Sequence, residues 1–399
     1  MRAASRAPTL SQTWESDMRY AIVTETYPPD INGVALTVQG LEEGLRQRGH
    51  EISLVRPHQP SDTHAPARHD TLLVRGVRLP HYPGLRFGLP APLALREHLR
   101  HFAPDAIYVA TEGPLGWSAL RAARRLGIPV ATGFHTRFDH YMGDYGMPWL
   151  RPVALRWMRR FHNGGDATLV PTRELADWLG QTAFAKVQRL ARAVDTSQFH
   201  PRFRDQALRQ QWQAGEQAPA LLSVGRIAAE KNLRLAVQSF RRLQQQCPQA
   251  RMVWVGDGPE RAALQAANPD FIFCGMQRGE DLARHYASAD LFVFPSRSET
   301  FGNVTLEAMA SGLATVAFDS GAAREHLRSG LHGAAVADDA GFIEAVVDLG
   351  GDGPRRRAMG ASAHLAVQAL QPAQVAADFD VLLSRLAQQR KEPAHAIPA

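Results

Sequence analysis

Short apolar runs alternate with longer amphipathic stretches along most of the chain. The first run is Tyr20–Val23, followed by a loop of Pro, Asp, Asn and Gly that reaches Gly33. A helical pattern then extends from about Ala35 to Arg48, and Gly49-His50 leads into a second run, Glu51–Val55. Further runs are Ala106–Val109, Pro129–Thr132 and Ala167–Val170. The stretch from Phe199 to Gly215 is polar and rich in Arg and Gln, and predicts an interdomain connection. The same pattern then restarts with Ala220–Val224, Arg251–Val255, Phe271–Phe273, Leu291–Phe294 and Ala314–Ala317. Continuous apolar strands separated by helices predict an α/β fold, with parallel sheets covered on both faces. The repeat predicts two Rossmann-like, doubly wound domains facing across a cleft, over 18–200 and 201–370. A final helix over 371–389 has room to cross back to the first domain, and 1–17 and 390–399 are expected to be disordered tails.

Composition narrows the class. A chain of 399 residues suits two domains, and 45% hydrophobic with 21% charged residues fits a soluble globular enzyme. No stretch approaches the apolar length of a membrane span. Residues 1–17 lack the apolar core of a secretory signal, and Met18 fits as the natural start. Cys247 and Cys274 are the only cysteines, too few for a disulfide framework or a cysteine zinc site, and they fit a reducing cytoplasm. The net charge of +6 rests on arginine, since Lys186, Lys231 and Lys391 are the only lysines. Such a surface attracts anionic partners.

The candidate chemistry lies at predicted strand ends, where open α/β sheets bind ligands. Leu291–Phe294 runs into a Pro/Ser loop holding Glu299, and a helix then opens near Gly302 or Asn303, holds Glu307 about a turn inside, and closes at Gly312. The unpaired N–H groups at that helix start are a seat for phosphate. An acid before the seat and another beyond it suit a nucleotide sugar, which has hydroxyls at both ends and phosphate in the middle. Taken singly, an acid early in a helix also simply favours the macrodipole. A hydrolase dyad fits poorly. Eight steps of helix would part the two by roughly 12 Å, against about 5–5.5 Å for retaining glycosidase carboxylates. Arg226 and Lys231 follow the first strand of the second half and could clamp a diphosphate from two sides. Val255-Gly-Asp-Gly-Pro259 is another strand-end glycine loop, and Gly33 would let helix-start amides face the diphosphate across the cleft. After Pro129–Thr132 come His135 and His140, of which His135 stands nearer the strand end. From Trp149 to Phe161, Leu150, Val153, Trp157 and Phe161 share one helical face, with arginines around the rest. That pattern suits a core helix with a basic outer face, or a helix resting on anionic lipid.

Together these motifs resemble the retaining glycosyltransferase family 4, of the GT-B fold, from Met18 to about Leu386. The resemblance rests on Glu-x7-Glu at Glu299 and Glu307, Gly-Arg…Lys-Asn at Arg226 and Lys231, and Asn32-Gly-Val34. It also rests on Gly-Asp-Gly-Pro at 256–259 and the run ending Phe-Pro-Ser296. Thr111–Gly116 and His81–Arg86 are similar to members that transfer mannose or sulfoquinovose to lipid acceptors. The resemblance implies that Arg226 and Lys231 hold the donor diphosphate and that Gly302, Asn303 and Val304 offer it amides. It implies that Glu307 takes the ribose, that Glu299 takes the sugar, that His135 lies near the anomeric carbon, and that Gly33 closes the cleft. One departure is Ala193-Val-Asp195 where the family often has Gly-Val-Asp. Because alanine resists positive φ, a differently shaped loop is expected there.

The implied reaction moves a sugar from a nucleotide-sugar co-substrate, GDP-mannose or a UDP-sugar, onto a hydroxyl of a lipid or glycan acceptor with retention. Base choice would rest on residues around Gly275 and Met276. No aspartate-rich metal motif or other cofactor signature is present, so metal independence is expected, with the cations and helix amides stabilising the leaving diphosphate. The expected location is cytoplasmic, with peripheral contact at the inner face of an anionic membrane. Rival readings are a sugar-nucleotide epimerase of the same fold, a non-catalytic nucleotide-sugar-binding regulator, and a nucleic-acid binder. The last would interleave basic patches with stacking aromatics, which this chain does not do, so no nucleic-acid partner is expected.

Overall fold

The computed structural model describes residues 17–30, 32–63, 70–78, 86–136, 148–215, 218–297 and 299–391. Both proposed tails lie almost wholly outside these residues, as do His140 and most of His81–Arg86.

Two parallel sheets form the frame. The first holds β1 (Arg19–Val23), β2 (Glu51–Pro57), β3 (Thr71–Val74), β6 (Ala106–Val109), β7 (Val130–Gly133), β8 (Ala167–Val170) and β9 (Val187–Arg189), in the order β3-β2-β1-β6-β7-β8-β9. A small antiparallel pair, β4 (Gly76–Arg78) and β5 (Arg86–Gly88), lies beside it. The second sheet runs β12-β11-β10-β13-β14-β15. Its members are β10 (Ala220–Val224), β11 (Arg251–Val255), β12 (Ile272–Phe273), β13 (Leu291–Phe294), β14 (Ala314–Phe318) and β15 (Gly333–Val336).

Alternation along each strand feeds two cores. Tyr20 and Ile22 of β1 pack with Leu383 and Phe379 of the final helix, while Ala21 and Val23 pack with Leu95, Leu99, Leu115 and Leu120 on the other face. In β10, Leu222 and Val224 join Phe292, Phe294 and Leu306, and Leu221 joins Phe240, Leu243 and Phe342. Burial on both faces is why these strands read as unbroken apolar runs.

The final helix, Pro372–Lys391, belongs to the first sheet's core although it follows the second sheet in sequence. Asp380 on it accepts from Tyr20 Oη at 3.0 Å and from Arg48 Nε at 2.9 Å. The stretch Phe199–Gly215 departs from expectation. It carries a helix, Gln206–Gln211, and buries Phe199, Leu208 and Trp212 in the core of the second sheet. Its polarity reflects one exposed face of a short amphipathic segment. The helix Arg151–His162 also differs from a simple core helix. Met158, Phe161 and His162 are buried, but Val153 is 62% and Trp157 40% exposed, so the face assigned to Leu150, Val153, Trp157 and Phe161 is split between core and solvent.

Each sheet has one point where strand order reverses, between β1 and β6 and between β10 and β13, the usual seats for ligands. At the first, Glu25 and Glu112 are both buried. Glu25 accepts from Leu115 N at 2.9 Å, capping the Pro114–Leu126 helix, whose own N-cap, Gly113, has no side chain to do so. Glu112 Oε1 has no partner among the described residues. Burial pushes Glu25 up to about 7, partly offset by the amides of Leu115 and Gly116, and pushes Glu112 up to about 8, with the Glu25 charge adding to the rise. Both values lie above those of an unfolded carboxyl. Their stabilising protonation is therefore complete below about pH 4.5 and is lost as pH rises through 7 to 8. Wild type is expected to lose thermal stability from pH 6 to 9, and Glu112→Gln to lose less. At the upper pH Glu112→Gln should lead by about 2–4 °C for each kcal/mol relieved. Equal pH slopes in the two proteins would remove Glu112 as the proton carrier.

Candidate active site

The Gly33–Gln47 helix begins where Asn32 turns back on it. Asn32 Oδ1 accepts from Val34 N at 3.1 Å and Ala35 N at 2.9 Å, and its amide donates to Thr26 Oγ1. Across the cleft, the Asn303–Ala310 helix starts from Gly302 at φ 86°, a left-handed conformation that favours glycine. A Cβ at Gly302 would lie 3.1 Å from the Phe294 ring. The two helix starts oppose each other. A Cβ placed on Gly33 would lie 3.6 Å from Asn303 Nδ2. Each end presents partial positive charge to the gap, so their meeting place suits an anion held between domains. Val304 stands in the same first turn and packs on the second core.

Beside this gap, at the β10/β13 reversal, lies a pocket lined by Gly225, Arg226, Lys231, Trp254, Phe294 and Pro295. The loops that build it are pressed together. Gly225 N donates to Val255 O at 3.0 Å, and a Cβ on Gly256 would sit 1.9 Å from Gly225 O. Lys231 Nζ pairs with Glu299, which also accepts from Ser296 Oγ at 2.8 Å. Arg226 stands 3.8 Å from Glu230. Lys231 and Glu299, assigned from sequence to diphosphate and sugar, are thus direct neighbours.

Glu307 has a different partner, Tyr286, whose hydroxyl donates to Oε2 at 2.8 Å. Burial raises the Glu307 carboxyl to about 7, partly countered by that hydrogen bond. The two glutamates therefore serve separate positions. Gly275, proposed near the base, follows β12 and its carbonyl accepts from Gly256 N at 2.8 Å, while Met276 is exposed.

His135 follows β7 in the first domain. Its Nε2 is 2.7 Å from Tyr108 Oη, and Arg192 donates to Nδ1. Burial, with Arg192 and His162 adding to it, keeps the ring's pKa well below its usual value. Ala193 does not take a positive φ, so alanine sits there without backbone strain. Val194 N donates to Leu370 O at 2.9 Å and Gln371 to Thr196, tying the two crossings between domains together. On another side Arg324 meets Glu174 at 2.6 Å and Arg189 meets Glu325 at 3.0 Å. Ser296 closes the Phe-Pro-Ser run of the sequence motif, whereas Tyr286, Tyr108 and Arg192 carry no local sequence signal of a place in the site.

The surroundings match known proteins in this light. Residues 31–198 match the family model "Glycosyltransferase Family 4" and residues 218–352 match "Glycosyl transferases group 1". A GDP-mannose-dependent alpha-mannosyltransferase of Mycobacterium tuberculosis is 37% identical over 316 residues, 77% of this chain and 81% of the relative. The sulfoquinovosyl transferase SQD2 of Arabidopsis thaliana is 32% identical over 312 residues, 76% of this chain and 60% of that one. Among solved structures, sucrose-phosphate synthase of Thermosynechococcus elongatus superposes with a TM-score of 0.76 at 18% identity, covering 93% of this chain and all of that one. WaaG, a glycosyltransferase of lipopolysaccharide biosynthesis, gives 0.68 at 16% identity, covering 92% and 99%. The fold is GT-B, and the chain belongs to glycosyltransferase family 4.

Proposed function

We propose that the protein transfers mannose from GDP-mannose, with retention, to a hydroxyl of a lipid acceptor at an anionic membrane surface. The observation that carries the transfer reading is the convergence, at one strand-order reversal, of Arg226, Lys231, Glu299 and the Asn303 helix start, with the Gly33 helix start opposite. The mannosyltransferase relative supports the choice of sugar and base. As the bond from the anomeric carbon to the diphosphate oxygen breaks, the new bond to the acceptor oxygen forms on the same face, and the acceptor proton passes to the departing phosphate. Arg226, Lys231 and the helix amides stabilise the charge growing on that leaving group, so the reaction runs without a metal ion. Closure of the domains excludes water.

One surface of the first domain supports the lipid reading. Trp149, Val153 and Trp157 are exposed, and the Trp157 ring lies tilted against Trp117 of the Pro114–Leu126 helix at 6.1 Å between ring centroids. Phe87, Leu89 and Leu93, also exposed, sit on segments packed against that same helix. Exposed Arg121, Arg124, Arg125, Arg151, Arg156 and Arg160 accompany them. Apolar side chains among cations are what a protein resting on acidic headgroups needs. Among the described residues no helix is long and apolar enough to cross a membrane.

Three outcomes follow. GDP-mannose is expected to raise the melting temperature of wild type, by the equivalent of about 2.7 kcal/mol at a hundredfold excess over Kd. Arg226→Ala and Lys231→Ala should abolish the shift, and chelator should leave both binding and transfer intact. Stabilisation by a UDP-sugar alone would overturn the donor assignment, and loss of transfer in chelator would overturn metal independence. Trp149→Ala combined with Val153→Ser is expected to cut co-sedimentation with vesicles rich in anionic phospholipid, and undiminished binding would sink the membrane surface. Because an ionised Glu307 accepts from ribose hydroxyls more strongly than a neutral one, donor affinity should weaken as pH falls through about 7. Glu307→Gln should bind more weakly and flatten that dependence, and an unchanged pH profile in the variant would place the titrating group elsewhere.

A further inference from the structure

We propose that Arg192 is a positioning residue that fixes His135 as a neutral imidazole of a single tautomer, with both ring nitrogens committed inside the protein. The argument begins with donor counting. A guanidinium has only donors, so its contact with His135 Nδ1 requires a bare lone pair on that nitrogen. The neutral ring then carries its proton on Nε2, which lies 2.7 Å from Tyr108 Oη and donates to it. The chain of bonds therefore has one direction, Arg192 to His135 to Tyr108.

The packing is built for this chain. Tyr108 is fully buried on β6, held edge-on by Phe379 of the final helix at 5.0 Å. Residue 133 leaves the space in which the Tyr108–His135 bond forms. A Cβ on Gly133 would lie 2.3 Å from Tyr108 Oη and 2.5 Å from His135 Nε2. Arg192 arrives from the segment between β9 and the first interdomain crossing, so the ring is gripped from one element on each side.

The charged and titratable groups facing His135 agree with a neutral ring. Arg192 comes from the connecting segment, His162 from the Arg151–His162 helix and Tyr108 from β6. Glu112 reaches electrostatically only as far as Tyr108. No carboxylate among the described residues bonds to His135 and draws a proton onto it. Held this way, His135 has no lone pair left to accept a proton from an acceptor hydroxyl. It can meet a sugar only through its ring edge and backbone, as a rigid wall.

The spectroscopic test is independent of the transfer reading, whereas the kinetic test rests on it. In the full-length protein labelled with nitrogen-15, His135 is assigned by difference from His135→Asn. Wild type is expected to show a bare Nδ1 and a protonated Nε2, unchanged as pH is lowered past about 6.5, where a free imidazole titrates. Arg192→Met should let the ring take up a proton at higher pH than in wild type. A protonated Nδ1 in wild type, or ordinary titration near 6.5, would overturn the proposal whether or not the variant folds. In mannosyl transfer, Arg192→Met should lower kcat by up to about 10²-fold, the scale of a misplaced active-site group, with little change in donor KM. Arg192→Lys should keep most of the rate, because an ammonium still donates to Nδ1. Equal losses in both variants, or a loss confined to KM, would instead make the guanidinium a direct anion contact.

Discussion

Burial of both faces of both parallel sheets is the constraint from which the rest of this molecule follows. When helices cover each face, the only backbone still open to a ligand is at the strand ends. The carboxyl ends carry Thr24–Gly33, Ala110–Gly113, His135, Gly225–Asn232, Gly256–Pro259 and Pro295–Gly302. The chain crosses between the domains twice, and the two crossings are tied together where Val194 N donates to Leu370 O and Gln371 donates to Thr196. With the Arg324–Glu174 and Arg189–Glu325 pairs on another side, this arrangement sets the helix starts at Gly33 and Asn303 opposite each other.

The polar groups of the gap are arranged in pairs, and that limits what each can do. Lys231 neutralises Glu299, Tyr286 occupies one oxygen of Glu307, and Arg192 with Tyr108 occupies both nitrogens of His135. A donor entering this site exchanges its own hydroxyls and phosphates for the contacts of Lys231, Glu299 and Glu307, while the bonds to His135 stay in place. The cost of desolvating the charges is thus met before the ligand arrives, which is the meaning of preorganisation here.

Much of the frame was legible in the sequence because the central strands are apolar on both faces. β1, β6, β10 and β13 are such strands, and each appears as an uninterrupted run. The edge strands β3, β9 and β15 were not read, since part of each faces solvent or a neighbouring loop and the run is diluted. Helix starts at Gly33 and near Gly302 were legible because a glycine between a strand-end loop and a helical pattern is a local signal. Partners such as Tyr286 for Glu307 and Arg192 for His135 were not, being 21 and 57 residues apart, distances over which no local pattern survives. The Phe199–Gly215 stretch misled for the opposite reason. Its composition is that of a linker, while three apolar side chains bury it.

The final helix has a consequence for the order in which the protein is made. Phe379, Leu382, Leu383 and Leu386 complete one face of the first sheet, and Asp380 anchors Tyr20 and Arg48. During synthesis the first half leaves the ribosome with that face covered only by Val38, Leu41 and Leu45 of the Gly33–Gln47 helix, and the rest waits while the entire second domain emerges. The domain translated first is therefore the last to be finished, and in the interval its half-covered Tyr20–Ile22 face leaves apolar surface open to aggregation.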